Sequence, residues 1–330
     1  MKLSIESIQS LIRMRKDYTS NPNEKKFIPV VYGIDAGFIV HAGISMLSLM
    51  DNTNEAIHFN VITNNYVEKK YHNLVSLFSN SNHKLSIIEV DTANISHLPV
   101  TEAFPSAIYY RLYSPYLLDS YDYILYLDAD IVATNSIITL INDNKPVDAI
   151  CSVVKELSNT DEIAKNHPEG YFNSGMLYIH TARWINEGIT SKVIDALKEH
   201  GDKFKYFDQD ALNLILNKRV KFINKKYNMQ IMASHHADQY KKMPPKDTVL
   251  LHYVGQDKPW HRWNTQSISL FYRKYLNLSP WKGMVAPLPV RQNDIKKYYK
   301  SLLHQKQFRQ SLYWYIKFQL NRLKKERKHD

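Results

Sequence analysis

The chain of 330 residues has one cysteine, Cys151, which excludes an internal disulfide and a zinc centre built on cysteines. That residue lies in the apolar run Ala149-Ile150-Cys151-Ser152-Val153-Val154, the setting of an inert core thiol. Glycine (9) and proline (13) are scarce, so long flexible linkers are not expected and the body should be compact. No apolar stretch reaches the roughly 18 residues that a membrane-spanning helix needs. The first 26 residues are polar and amphipathic and lack the unbroken apolar centre of a secretory signal. The expected address is the cytosol.

Acidic residues are short in one place. Residues 291–330 hold twelve Lys/Arg against three acids, Asp294, Glu326 and Asp330, so most of the formal charge of +11 sits in the tail. There Leu312, Tyr315, Ile316, Leu320 and Leu323 recur at helical spacing, with Lys317, Arg322, Lys324 and Lys325 mostly on other faces. A basic amphipathic helix suits an anionic membrane surface. A helix packed on the body with a solvated basic face accounts for the same pattern. Nucleic-acid binding would also use such charge, but no recognised motif accompanies it.

What is present in quantity is aromatic residues, 12%, with 23 tyrosines, and a strand–helix alternation. The pattern predicts a helix from about Ile5 to Arg15, then the breaker-rich Ser20-Asn21-Pro22-Asn23, and strands over 27–33, 57–63 and 85–90. Helices are expected over 41–50 and 66–79, and after Pro105 one carrying Tyr109, Tyr110 and Arg111. The run Tyr123-Ile124-Leu125-Tyr126-Leu127 reads as a central strand buried on both faces. Further strands (148–154, 175–180, 248–254) and helices (191–200, 208–217) complete an α/β fold with a mainly parallel sheet flanked by helices. The expected organisation is an N-terminal helical extension over 1–26, a body over 27–275, and a basic, aromatic-rich segment over 276–330.

The sharpest motif is Asp128-Ala129-Asp130, directly after the buried strand. Ligands gather at the carboxyl ends of strands in α/β sheets, and carboxylates abutting an apolar strand are costly without a partner. A hard divalent cation, Mg²⁺ or Mn²⁺, fits, and it could neutralise a leaving diphosphate. A strand end capped by turn-forming aspartates fits the two residues as well. So does the nucleophile pattern of haloacid-dehalogenase-type phosphatases, in which Asp128 would attack a phosphoryl group and Asp130 would act as acid/base. Later, His252 closes a predicted strand, where an imidazole could complete a metal site. Gly255 would let backbone approach a phosphate, and Lys258 would supply a compact positive charge. Asp208 could cap its helix, whereas Gln209 has no capping role and is expected to face a ligand. Asn173 precedes a small Ser174-Gly175 step and suggests a side chain held against tight backbone.

In order, Val31-Tyr32-Gly33-Ile34-Asp35, Arg111, Leu127-Asp128-Ala129-Asp130, Tyr171-Phe172-Asn173-Ser174-Gly175, Phe207-Asp208-Gln209-Asp210 and His252-Tyr253-x-Gly255-x-x-Lys258-Pro259-Trp260 resemble glycosyltransferase family 8. The likeness covers about residues 27–275. It is nearest to bacterial lipopolysaccharide core glucosyl- and galactosyltransferases, with Gly43-Ile44-Ser45 and the Ser279-Pro280-Trp281-Lys282 lead into the tail adding to it. The resemblance implies a retaining GT-A enzyme that uses UDP-glucose or UDP-galactose at the cytoplasmic face of a bacterial inner membrane. It implies that Asp128, Asp130 and His252 hold Mn²⁺ or Mg²⁺. Gly33, Ile34, Asp35, Ala36, Gly37 and Phe38 would hold the nucleotide, and Gly255 and Lys258 the diphosphate. Arg111, Ala129, Asn173, Ser174, Asp208 and Gln209 would surround the donor, with Gln209 and Asp208 nearest the chemistry. Two departures are expected to matter: Ala36-Gly37 stands where relatives often have polar residues, and the stretch after Cys151 lacks the acid that some place near the sugar.

Overall fold

A computed structural model describes residues 3–19, 26–101, 105–157, 169–232 and 243–326. The breaker run Ser20–Asn23 and residues 327–330 lie outside them. Two compact units emerge: Met1–Gln230 with Lys246–His252, and Ile231–Pro245 with Tyr253–Asp330. The second takes in residues ahead of position 276.

The strands are β1 (Ile12–Thr19), β2 (Ile28–Gly33), β3 (Ile57–Thr63), β4 (Lys84–Val90), β5 (Tyr123–Leu127), β6 (Ile131–Ala133), β7 (Cys151–Lys155), β8 (Phe172–His180), β9 (Val220–Phe222), β10 (Met229–Met232) and β11 (Leu250–Val254). Among the described residues, eight form the main sheet in the order β1-β4-β3-β2-β5-β8-β7-β9. The run β4-β3-β2-β5 is parallel, as expected from strands alternating with helices. β8 then lies antiparallel to both β5 and β7, and β9 is parallel to β7. The central strands are apolar along their length because helices cover both faces. Val31, Ile62, Leu177 and Tyr126 are buried in one core with Tyr109, Tyr110 and Trp184, and Cys151 is a buried free thiol whose pKa burial pushes well above the ordinary value.

The N-terminus corrects one expectation. The helix spans only Ile5–Gln9, closed at its start by a Ser4–Ser7 capping box. Residues Ile12–Thr19 form β1, paired antiparallel with β4 at the sheet edge. Its side chains alternate between half-buried and exposed, the period of a strand. Asp17 accepts a hydrogen bond from Ser86 Oγ, which also meets His58 Nε2 at 2.6 Å, tying this charged edge to the strands behind it.

In the second unit, helix Gln292–His304 and helix Phe308–Glu326 share a core of Trp263, Ile295, Tyr298, Leu302 and Trp314. The Tyr298 and Trp314 rings meet edge-on at 5.1 Å, and Ser311 Oγ donates to Tyr299 O at 2.8 Å. The aliphatic row on the last helix is not part of that core: Leu312 is 59% exposed and Ile316 50%. Among the described residues, no helix is long and apolar enough to cross a membrane.

Candidate functional site

β2 and β5 run side by side, Val31 opposite Tyr126, so Gly33 and Asp128 end neighbouring strands at the carboxyl edge of the sheet. Gly33 is needed for space: a Cβ there would lie 2.9 Å from Tyr110 Cβ and 3.2 Å from Ala107 O. After β5 the chain turns through Asp128-Ala129-Asp130 into β6, which pairs antiparallel with β11 and sets Ile131 opposite His252. Register alone therefore brings His252 beside Asp130.

Ligand atoms of Asp128, Asp130 and His252 lie within 4.8 Å of one another. Gly175 on β8 makes this convergence possible, since a Cβ at that position would sit 2.4 Å from His252 Cε1 and 2.7 Å from Asp128 Oδ2. Asn228 Nδ2 donates to Asn173 Oδ1 at 3.0 Å, which leaves Asn228 Oδ1, 3.0 Å from His252 Nδ1, to accept from that nitrogen. The imidazole then presents a bare Nε2 lone pair 3.1 Å from Asp130 Oδ1. Two acceptors at that distance repel unless a cation or a proton lies between them, and an imidazole oriented by a second hydrogen bond is the usual form of a metal ligand. With two carboxylates and one imidazole, the donor set fits a divalent cation.

Arg111, on the 3₁₀ helix Ser106–Leu112, lies behind the carboxylates. Only 3% exposed, it donates to Asp128 Oδ1 at 2.9 Å and to Ser174 O at 2.5 Å, and its Nε lies 3.2 Å from Asp208 Oδ2. The guanidinium also covers the Tyr126 ring at 4.7 Å. Burial works against its charge, but Asp128 and Asp208 outweigh that and raise its pKa. Burial pushes the Asp208 carboxyl up to about 6, with Arg111 opposing and Asp128 reinforcing the shift. Three aspartates thus surround one arginine, an excess of negative charge that a bound cation would balance.

Beneath them runs a buried amide network. Gln209 Oε1 accepts from Ser174 N at 3.0 Å and Asn173 Nδ2 at 3.2 Å, while its Nε2 donates to Glu156 Oε2 and Tyr171 OH, each at 3.2 Å. Gln209, expected to face a ligand, has its amide committed on both sides. Asn173 likewise gives its Nδ2 to Glu156 Oε2 at 2.9 Å. After Cys151, where no acid was expected near the site, Glu156 joins this network. Asp208 is not the helix cap. The N-cap residue is Phe207 at φ 37°, a left-handed conformation unusual for a bulky residue and common at functional sites, while Asp210 holds the entry by accepting from Tyr206 N and Tyr171 OH.

In the 33–38 segment, Asp35 Oδ1 accepts from Gly37 N at 2.7 Å and closes a tight turn. Ile34 is buried, Ala36 is half-buried, and Phe38 packs edge-on against His41 at 5.6 Å. Gly255 and Lys258 belong to the second unit. There Gly255 has φ +81°, a conformation that disfavours a side chain, and Lys258 Nζ donates to Tyr253 O at 2.7 Å. Sequence reasoning missed Glu156 and Asn228, and gave Tyr171 no role beyond its place in a motif.

Residues 29–264 match the family described as Glycosyl transferase family 8. The chain belongs to that family. This family 8 chain is 32% identical to a lipopolysaccharide 1,2-glucosyltransferase of Escherichia coli, over 90% of this chain and 91% of that one. It is 29% identical to a lipopolysaccharide 1,3-galactosyltransferase of Salmonella typhimurium, over 92% and 93%. Among solved structures it is similar to the galactosyltransferase LgtC in complex with donor and acceptor sugar analogs, with TM-score 0.67 and 20% identity over 82% of this chain and 100% of that one. The fold is GT-A, the protein is a glycosyltransferase, and the phosphatase reading of Asp128-x-Asp130 falls away.

Proposed function

We propose that this family 8 enzyme transfers glucose or galactose from a UDP donor, with retention of the α configuration, to a hexose of a lipopolysaccharide core. The reading is carried by the Asp128–Asp130–His252 cluster at the carboxyl edge of a GT-A sheet, together with relatives named for glucosyl and galactosyl transfer to lipopolysaccharide. Mn²⁺ or Mg²⁺ bound there would neutralise the diphosphate as it leaves. Asp128, Asp130 and His252 would hold the ion, with Arg111 and Asn228 fixing the orientation of Asp128 and His252. The segment Gly33–Phe38 would take the uridine, and Gly255 and Lys258 the diphosphate. Because Asp35 Oδ1 and the Gln209 amide are already engaged, Asp35 would offer its other oxygen. Gln209 would act by holding Asn173, Ser174 and Glu156 in place around the hexose.

No carboxylate in the cluster is free to serve as a nucleophile, since Asp208 is held by Arg111. A front-face reaction follows. The bond from the anomeric carbon to the β-phosphate oxygen breaks, the acceptor oxygen bonds to the same face, and its proton passes to the departing diphosphate. The enzyme would work as a peripheral protein on the cytoplasmic face of the inner membrane. The exposed row Phe308, Leu312, Ile316, Leu320 and Leu323 supports that location, since it gives the basic helix an apolar face for the bilayer surface.

The test incubates the enzyme with UDP-glucose or UDP-galactose, Mn²⁺ and truncated lipopolysaccharide, and reads the anomeric configuration of the product by NMR. An α-linked hexose from one donor supports the reading. A β-linked product, or a glycosyl adduct trapped on Asp208, would refute the front-face route, and turnover of neither donor would refute the donor assignment.

A further inference from the structure

Two cavities in the second unit, of about 390 and 450 Å³, share Arg262 and Tyr298 in their walls. Their linings differ. The larger presents three cations, Arg262, Arg309 and Lys317, together with Trp314. The smaller adds the uncharged amides Asn277, Gln305 and Gln307 beside Trp260, with Arg262 and Arg273 also in its wall, the latter donating to Asn264 O. No described acidic residue lines either one, and the nearby Asp257 is engaged by Lys297 at 2.6 Å. Arg309 and Lys317 stand eight residues apart on helix Phe308–Glu326 and so share a face two turns apart. Arg309 lies in the first turn, where the helix dipole favours an anion. Lys317 Nζ sits 4.5 Å from the Trp314 ring centroid, which holds it in place without neutralising it. On the helix Ile316 stands seven residues from Arg309 and so nearly in line with it, while Lys317 lies about 100° round from Ile316, which places the two cations beside the aliphatic row.

We infer that these paired cavities bind a phosphorylated oligosaccharide, the phosphate on Arg262, Arg309 and Lys317 and the sugar hydroxyls on the amides beside Trp260. The inference rests on the acceptor being a glycan, as proposed above. Three cations suit a phosphomonoester near −2 better than the single charge of a sugar carboxylate. Amide side chains match hydroxyls, which accept and donate. The site is therefore a recognition subsite for an anionic saccharide within the second unit.

The test measures binding by calorimetry to the full-length protein without donor. The ligands are acyl-free, phosphorylated core oligosaccharide, the same glycan after phosphatase treatment, inorganic phosphate, and phosphatidylglycerol vesicles. Wild type should bind the phosphorylated glycan at least roughly tenfold more tightly than the dephosphorylated one, and Arg309→Ala/Lys317→Ala should lose that margin. Inorganic phosphate alone should bind weakly, and a Leu312→Asp/Ile316→Asp variant should leave the glycan preference intact. Arg309 and Lys317 are exposed, so thermal melting should match wild type. Acceptor-free UDP release, followed separately, reports on the donor reaction, so failure there is distinguishable from failure of this site. Equal affinity for the two glycans would overturn the inference. So would an unchanged margin in the Arg309/Lys317 variant, or cations that serve only vesicles or free phosphate.

Discussion

The cluster at the end of β5 and the last helix of the chain both concentrate charge, yet they do so in opposite ways. Around Asp128 the charges are buried, interlocked and held by backbone register: Arg111 touches Asp128, Asp208 and Ser174 at once. On helix Phe308–Glu326 Arg309 and Lys317 are exposed, and its large apolar side chains divide between a packed row and a bare one. A buried network cannot lose a member without leaving an unpaired charge, whereas an exposed row loses affinity one contact at a time. The first arrangement suits chemistry that needs fixed geometry, the second suits reversible docking.

That contrast predicts a graded set of effects. Arg111→Met should have the largest, because it strands Asp128 and Asp208; a loss of about 3–5 kcal/mol should appear in chemical denaturation along with lost activity. Gly175→Ala should come next. Its Cβ must push His252 or Asp128 aside, and displacement on the order of 1 Å at a reacting centre costs about a hundredfold, measured as kcat with near-normal melting. Leu312→Asp/Ile316→Asp should weaken binding to anionic vesicles by roughly tenfold or more while leaving UDP release from donor alone unchanged. Stability should also carry a pH slope. Asp208 holds its proton to about 6 in the folded protein against an ordinary 3.8. The native state therefore binds the proton more tightly, and stability should fall as pH rises from 3.8 to about 6, then level off. The slope is at most about 1.4 kcal/mol per pH unit, and Asp208→Asn should flatten it in urea melts.

Much of the first region was legible because its signals are local. An apolar strand that stops at two aspartates marks both a central position and a ligand edge, and His252 stands out as an imidazole within the apolar run that forms β11. Glu156 and Asn228 carried no such mark, since their roles arise only when β7, β8 and the 3₁₀ turn Lys225–Asn228 meet. The partners of Gln209 were hidden for the same reason: absence of a local partner says nothing about partners 35 residues away, as with Ser174. At the N-terminus, apolar Ile5, Ile8 and Leu11 keep helical spacing, while Ile12-Arg13-Met14-Arg15-Lys16-Asp17-Tyr18-Thr19 switches to period two. Extending the first pattern over the second hid β1, whose charged exposed side is characteristic of a sheet edge. In the tail, periodicity revealed an amphipathic helix but not which row packs. Trp314 turned inward and Leu312 outward.

The central claim is that Asp128, Asp130 and His252 form one cation site serving a nucleotide diphosphate. Titration of Mn²⁺ with and without UDP, followed by electron paramagnetic resonance for wild type and Asp130→Ala, tests it most directly. The account predicts one ion per chain, bound more tightly with UDP, and loss of that binding in the variant. Equal Mn²⁺ binding by the variant, or binding indifferent to UDP, would contradict it.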